Sequence, residues 1–292
     1  MDGGELSFTE AWLGAFAFTL QLYFDFSGYC DIALGAALLF GIRLPINFHS
    51  PLKSASIIEF WRHWHMTLSR FLRDYLYVPL GGNRRGSVRR YINLLLTMLL
   101  GGLWHGANWT FVVWGGLHGL YLVLNHGWRR FVPARMRMNG GLAYRTIRVA
   151  VTLIAVVLAF VVFRADSIGA AAYYLVQLLD VSSVSVGDAY AGEVRALFAS
   201  DISYPLVEIV GVGLFSMLFV GLGLAIALLL PNSMELIAAE DIGWQLPSGP
   251  DRATAGQWAR RYPAAALVVL CFLGWASLNS LTSLSPFLYF QF

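Results

Sequence analysis

A histidine inside a long uncharged stretch is the residue of this chain that is best suited to chemistry. From Tyr91 to Trp128 no side chain is formally charged, and Gly-Gly-Leu-Trp-His-Gly occupies 101–106. An ionisable group in an apolar segment is costly, so it usually faces the protein interior or a wet cavity and marks a functional site. Histidine changes protonation near neutral pH, which a general base requires. His105 is therefore the first catalytic candidate, and a hydrogen bond between helices is its alternative role.

A second group of polar side chains lies in the segment 57–77, which contains neither Gly nor Pro and is predicted to be one helix. At 3.6 residues per turn, one face of this helix would carry four polar residues, namely Arg62, His65, Ser69 and Arg73. The arginines could hold a phosphate or a developing oxyanion beside His65. His65 itself could also serve only as a helix-packing hydrogen bond. His63 would point the other way and pair with Glu59.

The remaining polar residues in apolar segments have weaker functional interpretations. Asp25 and Asp31 are six residues apart and therefore do not share a helical face, so we interpret them first as caps or interhelical ties near Gly28. Orienting a catalytic histidine is their second interpretation. His118 is predicted to be a packed helix contact, and His126 to lie at the membrane edge. The His-x-His pair at 63–65 does not face one site on a helix, so no metal site is predicted.

The composition indicates a polytopic membrane protein. Hydrophobic residues make up 58% of the chain and charged residues 13%, against about 25% charged in an average soluble domain. Because backbone amides in lipid must be satisfied internally, the spans should be helices, and the predicted fold is all-α. We expect about seven to nine membrane or re-entrant helices. The apolar stretches are 11–42 as two segments meeting near 25–28, a hairpin within 91–128, then 146–163, 205–230 and 263–281.

Arginine clusters predict the orientation of these spans. The clusters at 84–90 and 129–148 should both be cytoplasmic, so the uncharged run between them must leave and return on one side. The Gly-rich loop 81–86 could cradle phosphates, although a positive cytoplasmic loop explains it equally well. The first ten residues show no signal-peptide pattern. Neither of the two cysteines belongs to a disulfide framework or CxxC site, and nothing predicts a nucleic-acid partner.

Long motifs carry a resemblance to a known family. The chain resembles the membrane-bound O-acyltransferase (MBOAT) family, and within it the bacterial branch of alginate O-acetyltransferase membrane subunits. The resemblance is good from about residue 20 to residue 165. The matching stretches are FDFSGYCDIALG at 24–35, IIEFWRHWHMTLSRFLRDYLYVPLGGNRRG at 57–86, NLLLTMLLGGLWHGANWTFVVWGGLHG at 93–119, VVFRA at 161–165 and the closing SPFLYFQF.

The resemblance implies acyl transfer in a multi-pass protein of the bacterial inner membrane. The implied fold is a helical disc with a tunnel. The resemblance also implies that His105 is the catalytic residue and that His65 is a second active-site histidine. Trp104 and Asn108 are further candidates for binding the donor or the substrate. The donor would be cytoplasmic acetyl-CoA, with no bound cofactor. The acceptor would be an alginate-like extracytoplasmic polysaccharide or a periplasmic acetyltransferase.

The chain begins close to the motif-bearing half, whereas family members usually carry several helices ahead of it. We therefore expect 1–292 to be one MBOAT-like membrane domain that is N-terminally shortened, with the missing N-terminal half as a further partner beside the lipid bilayer. Two alternatives remain open. One is a non-catalytic or partner-dependent fragment, and the other is a channel or transporter for acyl groups, which would favour inverted repeats that the sequence does not show.

Overall fold

The computed structural model describes residues 6–131, 141–184 and 212–236, and all regular structure within them is helical. The all-α prediction is therefore confirmed for these residues. The predicted span 263–281 and the start of the span 205–230 lie outside them.

The described residues form nine α-helices, two 3-10 turns and one π-helical segment. The α-helices are α1 (Phe8–Leu39), α2 (Ile57–His63), α3 (Met66–Leu72), α4 (Gly86–His105), α5 (Trp109–Phe131), α6 (Gly141–Arg164), α7 (Ile168–Gln177), α8 (Val212–Leu229) and α9 (Ser233–Leu236). The 3-10 turns lie at Pro51–Lys53 and Val181–Ser183, and the π-helical segment lies at Arg73–Tyr77.

Helix α1 is one continuous helix of 32 residues, so the prediction of two segments meeting near 25–28 is wrong. Its start is fixed by a capping box: Ser7 Oγ accepts from the Glu10 amide, and the Glu10 carboxylate accepts from the Ser7 amide at 3.0 Å. Ser27 does not interrupt the helix, since its hydroxyl donates back to the Phe24 carbonyl at 3.4 Å. The polar residues at 25–28 are thus accommodated without a break.

Helix α6 is the centre of the packing. Its second half is almost entirely buried, and it packs against α1, α5 and α7. The predicted apolar helix at 146–163 is confirmed within it. Two of the described helices, α1 and α6, are long and apolar enough to cross a membrane, and α8 contains a shorter apolar helix. The predicted total of membrane helices stays a prediction.

Helices α4 and α5 form the predicted hairpin, and His105 is the last residue of α4 before its turn. The two backbones approach closely at glycines on both helices. A Cβ on Gly102 would lie 2.2 Å from the Phe111 carbonyl oxygen, and a Cβ on Gly115 would lie 2.2 Å from that of Met98. Small residues that permit such contact are the usual means by which membrane helices pack.

We expect Gly102→Ala to destabilise the hairpin by about 1–3 kcal/mol or more, because the added methyl group forces the two helices apart. Gly127→Ala on α5 is the matched control, since a Cβ there meets nothing within 4 Å. Thermal unfolding of the purified variants in detergent measures the difference. Equal melting temperatures for the two variants would contradict the close packing of α4 on α5.

The segment predicted as one helix over 57–77 is broken at Trp64 and His65, so that prediction is wrong. His65 has a φ of 42°, in the left-handed region, and separates α2 from α3. Extended backbone lies against the break: the His49 amide donates to the His63 carbonyl, and the Met66 amide to the Asn47 carbonyl, each at 3.0 Å. These hydrogen bonds replace the helical ones that the break removes.

Candidate active site

The imidazole of His105 lies among aromatic rings from three helices. Its centroid is 4.9 Å from the Trp104 ring, 5.1 Å from Trp114 on α5 and 5.2 Å from Phe163 on α6. The Trp114 and Phe163 contacts are nearly perpendicular, at 87° and 85°. Such edge-to-face contacts restrict the orientation of a ring. The hairpin turn places His105 between α4 and α5, and the buried half of α6 closes the third side.

His105 borders a small cavity of about 20 Å³, which has room for about one water molecule. Among the residues that the structure describes, His105 is the only ionisable side chain at this cavity, and the other walls are apolar or aromatic. A single histidine in such surroundings can exchange a proton with one small polar group. The lining residues are Leu22, Phe26, Trp61, Trp64, Leu68, His105, Trp114, Phe160 and Phe163.

His65 is held in a strained backbone conformation by Asn47. A left-handed conformation in a residue other than glycine costs of order 1–3 kcal/mol and persists only where its surroundings enforce it. The carboxamide oxygen of Asn47 accepts from the Thr67 amide at 3.1 Å and from the Thr67 hydroxyl at 2.7 Å. The His65 side chain makes no capping hydrogen bond at the start of α3. Asn47 therefore caps this helix from an extended segment. Strain of this kind concentrates at functional sites.

The structure brings His65 near His105 through two shared neighbours. The Phe26 ring, which lines the cavity, lies 4.9 Å from the His65 ring. The Trp104 ring lies 6.5 Å from His65 and 4.9 Å from His105, so the two imidazole centroids are at most about 11 Å apart. Within the described residues, the buried Nδ1 of His65 has no hydrogen-bond partner outside its own residue.

The other members of the predicted polar face do not join His65. Arg73 is exposed and pairs with the adjacent Asp74 at 2.7 Å, and Arg62 is exposed on α2 on the far side of the break. The Ser69 hydroxyl donates to the Trp64 carbonyl at 3.3 Å, which closes the turn between α2 and α3. The prediction that these residues share one helical face with His65 is therefore wrong, because it assumed an unbroken helix.

Trp104 and Asn108 lie on either side of the hairpin turn. Trp104 is 57% exposed beside His105 and does not itself line the cavity. Asn108 has structural partners: its oxygen accepts from the Thr110 amide and its amide donates to the Asp166 carbonyl, each at 3.1 Å. It caps α5 and joins the turn to the loop after α6. Its predicted role in binding stays a prediction.

The two aspartates of α1 differ in surroundings. Asp25 is exposed, whereas Asp31 is half-buried and lies near Ser233 at the start of α9. Neither residue caps α1, since the helix passes through both positions, and the interpretation of Asp31 as an interhelical tie stays a prediction. Neither lines the cavity next to His105. Their predicted role in orienting a histidine stays a prediction.

His63 belongs to a separate polar cluster, and its predicted pairing with Glu59 is wrong. Its Nδ1 lies 3.4 Å from the Ser54 hydroxyl, and its ring lies 5.5 Å from that of His49. The Glu59 carboxylate instead accepts from the Ala55 amide at 3.0 Å, at the start of α2. His63 is buried but does not line the cavity beside His105.

His118 is a packed contact, as predicted. It is fully buried, its Nδ1 accepts a hydrogen bond from the Trp61 indole at 3.3 Å, and its ring stacks on Phe60.

Sequence reasoning missed Asn47, whose only signal was its place in an extended stretch between two prolines, Pro45 and Pro51. Within residues 6–131, 141–184 and 212–236, no three His, Cys, Asp or Glu side chains lie close enough to hold a metal ion.

Comparison with known proteins places these residues in a matched region. The model of the MBOAT, membrane-bound O-acyltransferase family matches residues 5–163, which include both His65 and His105. The chain is 38% identical over 292 residues to a probable alginate O-acetylase of Azotobacter vinelandii, covering 97% of this chain and 55% of that protein. It is 47% identical over 185 residues to a peptidoglycan O-acetyltransferase of Helicobacter pylori, covering 62% of this chain and 34% of that protein.

A more distant relative is named for the transfer of a different acyl group. The chain is 36% identical over 126 residues to a teichoic acid D-alanyltransferase of Streptococcus thermophilus, covering 39% of this chain and 29% of that protein. The chain spans about half the length of the curated alginate O-acetylases that it matches.

Proposed function

Because the chain belongs to the membrane-bound O-acyltransferase family, we propose that it transfers an acetyl group to hydroxyls of an extracytoplasmic polysaccharide such as alginate. The donor would be acetyl-CoA from the cytoplasm, and the protein would be a multi-pass protein of the bacterial inner membrane. The observation that supports this proposal most strongly is the position of His105: among the described residues, it is the only ionisable side chain at a cavity with aromatic walls inside the matched region.

In this proposal His105 is the general base. A neutral imidazole nitrogen accepts the proton of the acceptor hydroxyl while the hydroxyl oxygen attacks the acetyl carbonyl of the thioester. The carbon–sulfur bond breaks, the CoA thiolate leaves, and the imidazolium returns its proton to that thiolate. Trp114 and Phe163 hold the ring in one orientation, and Trp104, which is exposed beside His105, contacts the incoming groups. The His65 Nδ1 would supply a further hydrogen-bonding position for the substrate.

The names of the similar proteins support a small acyl group, since they describe acetyl and D-alanyl transfer. The cavity beside His105 holds about one water molecule, so an acetyl group requires some movement of the aromatic walls and a long acyl chain requires much more. The acceptor is assigned by analogy with the alginate O-acetylases, which match along nearly the whole of this chain.

The test is restoration of O-acetylation in a bacterium that exports alginate but lacks its own membrane O-acetylase. Two proteins are expressed: this chain alone, and this chain fused to the part of the Azotobacter vinelandii relative that lies outside the match. We expect the fusion to restore acetyl esters on the exported alginate, and the chain alone to restore fewer. Absence of acetyl esters with both proteins, at membrane levels equal to those of an active relative, would contradict the proposal.

A further inference from the structure

A second pocket lies at the opposite end of the α4–α5 hairpin from His105. It has a volume of about 290 Å³, much larger than the cavity beside His105. Fifteen helical positions separate Arg90 from His105 on α4, which corresponds to about 22 Å. The two sites are therefore distinct. The residues that line this second pocket are Ser87, Arg90, Tyr91, His126, Arg129 and Arg130.

The charges of this pocket are of one sign. Three of its six lining residues are arginines, and none is acidic. Arg62, Arg90 and Arg129 all lie close enough to His126 to interact with it electrostatically. In the part of the chain that the structure describes, neither Arg90 nor Arg130 takes part in an ion pair with a carboxylate. Like charges so close together repel each other, and a bound anion would remove that repulsion.

Arg90 distinguishes this pocket from a solvated basic loop. Its Nε is buried and has no hydrogen-bond partner among the described residues, and its guanidinium carbon lies 5.0 Å from the centre of the Tyr91 ring. A buried donor without a partner is energetically unfavourable, and more so when it is charged. An arginine that only oriented the protein in the membrane would keep its head group in water. The arrangement is the one expected of a site that binds an anion.

We propose that this pocket binds a phosphate ester. The planar guanidinium groups of Arg90, Arg129 and Arg130 provide the paired donors that match phosphate oxygens, and the Ser87 and Tyr91 hydroxyls provide further donors. The volume exceeds that of a single phosphate and admits the groups next to it. Two compounds present this chemistry at a cytoplasmic membrane surface, namely an anionic phospholipid and coenzyme A. The coenzyme A source rests on the proposed function, whereas the phospholipid source does not.

Direct binding to the purified 292-residue chain in detergent tests the proposal, with two probes in separate arms. The first arm uses phosphatidylglycerol, compared with zwitterionic phosphatidylcholine. The second uses coenzyme A, compared with pantetheine, which carries no phosphate. We expect Arg90→Gln and Arg130→Gln each to weaken binding of the phosphate ester by about tenfold, the effect of one lost charged hydrogen bond. The arm in which this loss occurs identifies the source.

The matched control is Arg89→Gln, because Arg89 is an exposed neighbour of Arg90 that does not line the pocket. It removes the same charge from the same helix, and we expect it to change binding by less than about twofold. Unchanged binding in both arms for Arg130→Gln, which alters an exposed side chain, would overturn the proposal. Equal losses for Arg89→Gln and Arg130→Gln would also overturn it, since they would indicate attraction to overall charge. None of these measurements depends on acetyl transfer.

Discussion

Replacing His105 by alanine is expected to abolish acetylation of the exported polysaccharide by the fused chain while leaving the protein in the membrane. General-base catalysis contributes about 10²–10⁴-fold to rate, and no other ionisable side chain in the described part of the chain lines the cavity to replace it. The measurement is the acetyl ester content of the exported alginate, normalised to the amount of protein in the membrane. The His105 ring is bounded by aromatic rings rather than by hydrogen-bonded partners. Its removal should therefore have little effect on the amount of protein inserted in the membrane.

His105→Gln is the matched variant that separates chemistry from packing. Glutamine keeps a hydrogen-bonding group of similar reach but does not accept a proton at neutral pH. A histidine that only bridges helices would be replaced in large part by glutamine, whereas a general base would not. We therefore expect His105→Gln to be as inactive as His105→Ala. Substantial acetylation by the glutamine variant would assign His105 a structural role.

His65→Ala is expected to reduce acetyl transfer by more than about tenfold, and His63→Ala to reduce it much less. The reason is position: His65 lies 4.9 Å from the cavity-lining Phe26, whereas His63 contacts Ser54 in a separate polar cluster. Transfer rates per amount of folded protein measure the difference. Equal losses for the two alanine variants would contradict the assignment of His65 to the site.

The backbone of His65 offers a sharper comparison. At a φ of 42°, alanine is strained and glycine is not. We therefore expect His65→Gly to be more stable than His65→Ala in thermal unfolding, yet equally impaired in transfer, because both lack the imidazole. If glycine restored activity, the function of position 65 would be to form the bend between α2 and α3 rather than to contact substrate.

The sequence predicts the hairpin of α4 and α5 because hydropathy and charge decide it locally. An uncharged run between two arginine clusters must leave and return on one side, and this places His105 close to the turn. The aromatic walls were not predictable in the same way. Trp114 and Phe163 come from different helices, and only the packing of α6 against the hairpin brings both rings to His105.

The break at His65 shows where local reasoning fails. A stretch with neither Gly nor Pro favours one helix, and nothing within 57–77 marks its interruption. The interruption is imposed by Asn47, which lies 20 positions from Thr67 in sequence and caps α3 through its side chain. Tertiary hydrogen bonds of this kind override helix propensity. The same break separates Arg62 from His65, so the prediction of a shared polar face failed for the same reason.

The most direct test of acetyl transfer at His105 is the movement of labelled acetyl groups in detergent-solubilised membranes, in which both sides of the protein are accessible. The fused chain is given acetyl-CoA labelled in the acetyl group together with unacetylated alginate, and alkali-labile label on the polysaccharide is measured over time. Transfer at His105 requires label to accumulate with the wild-type chain and to remain at the level of empty membranes with His105→Gln. Accumulation at the same rate with both proteins would contradict it.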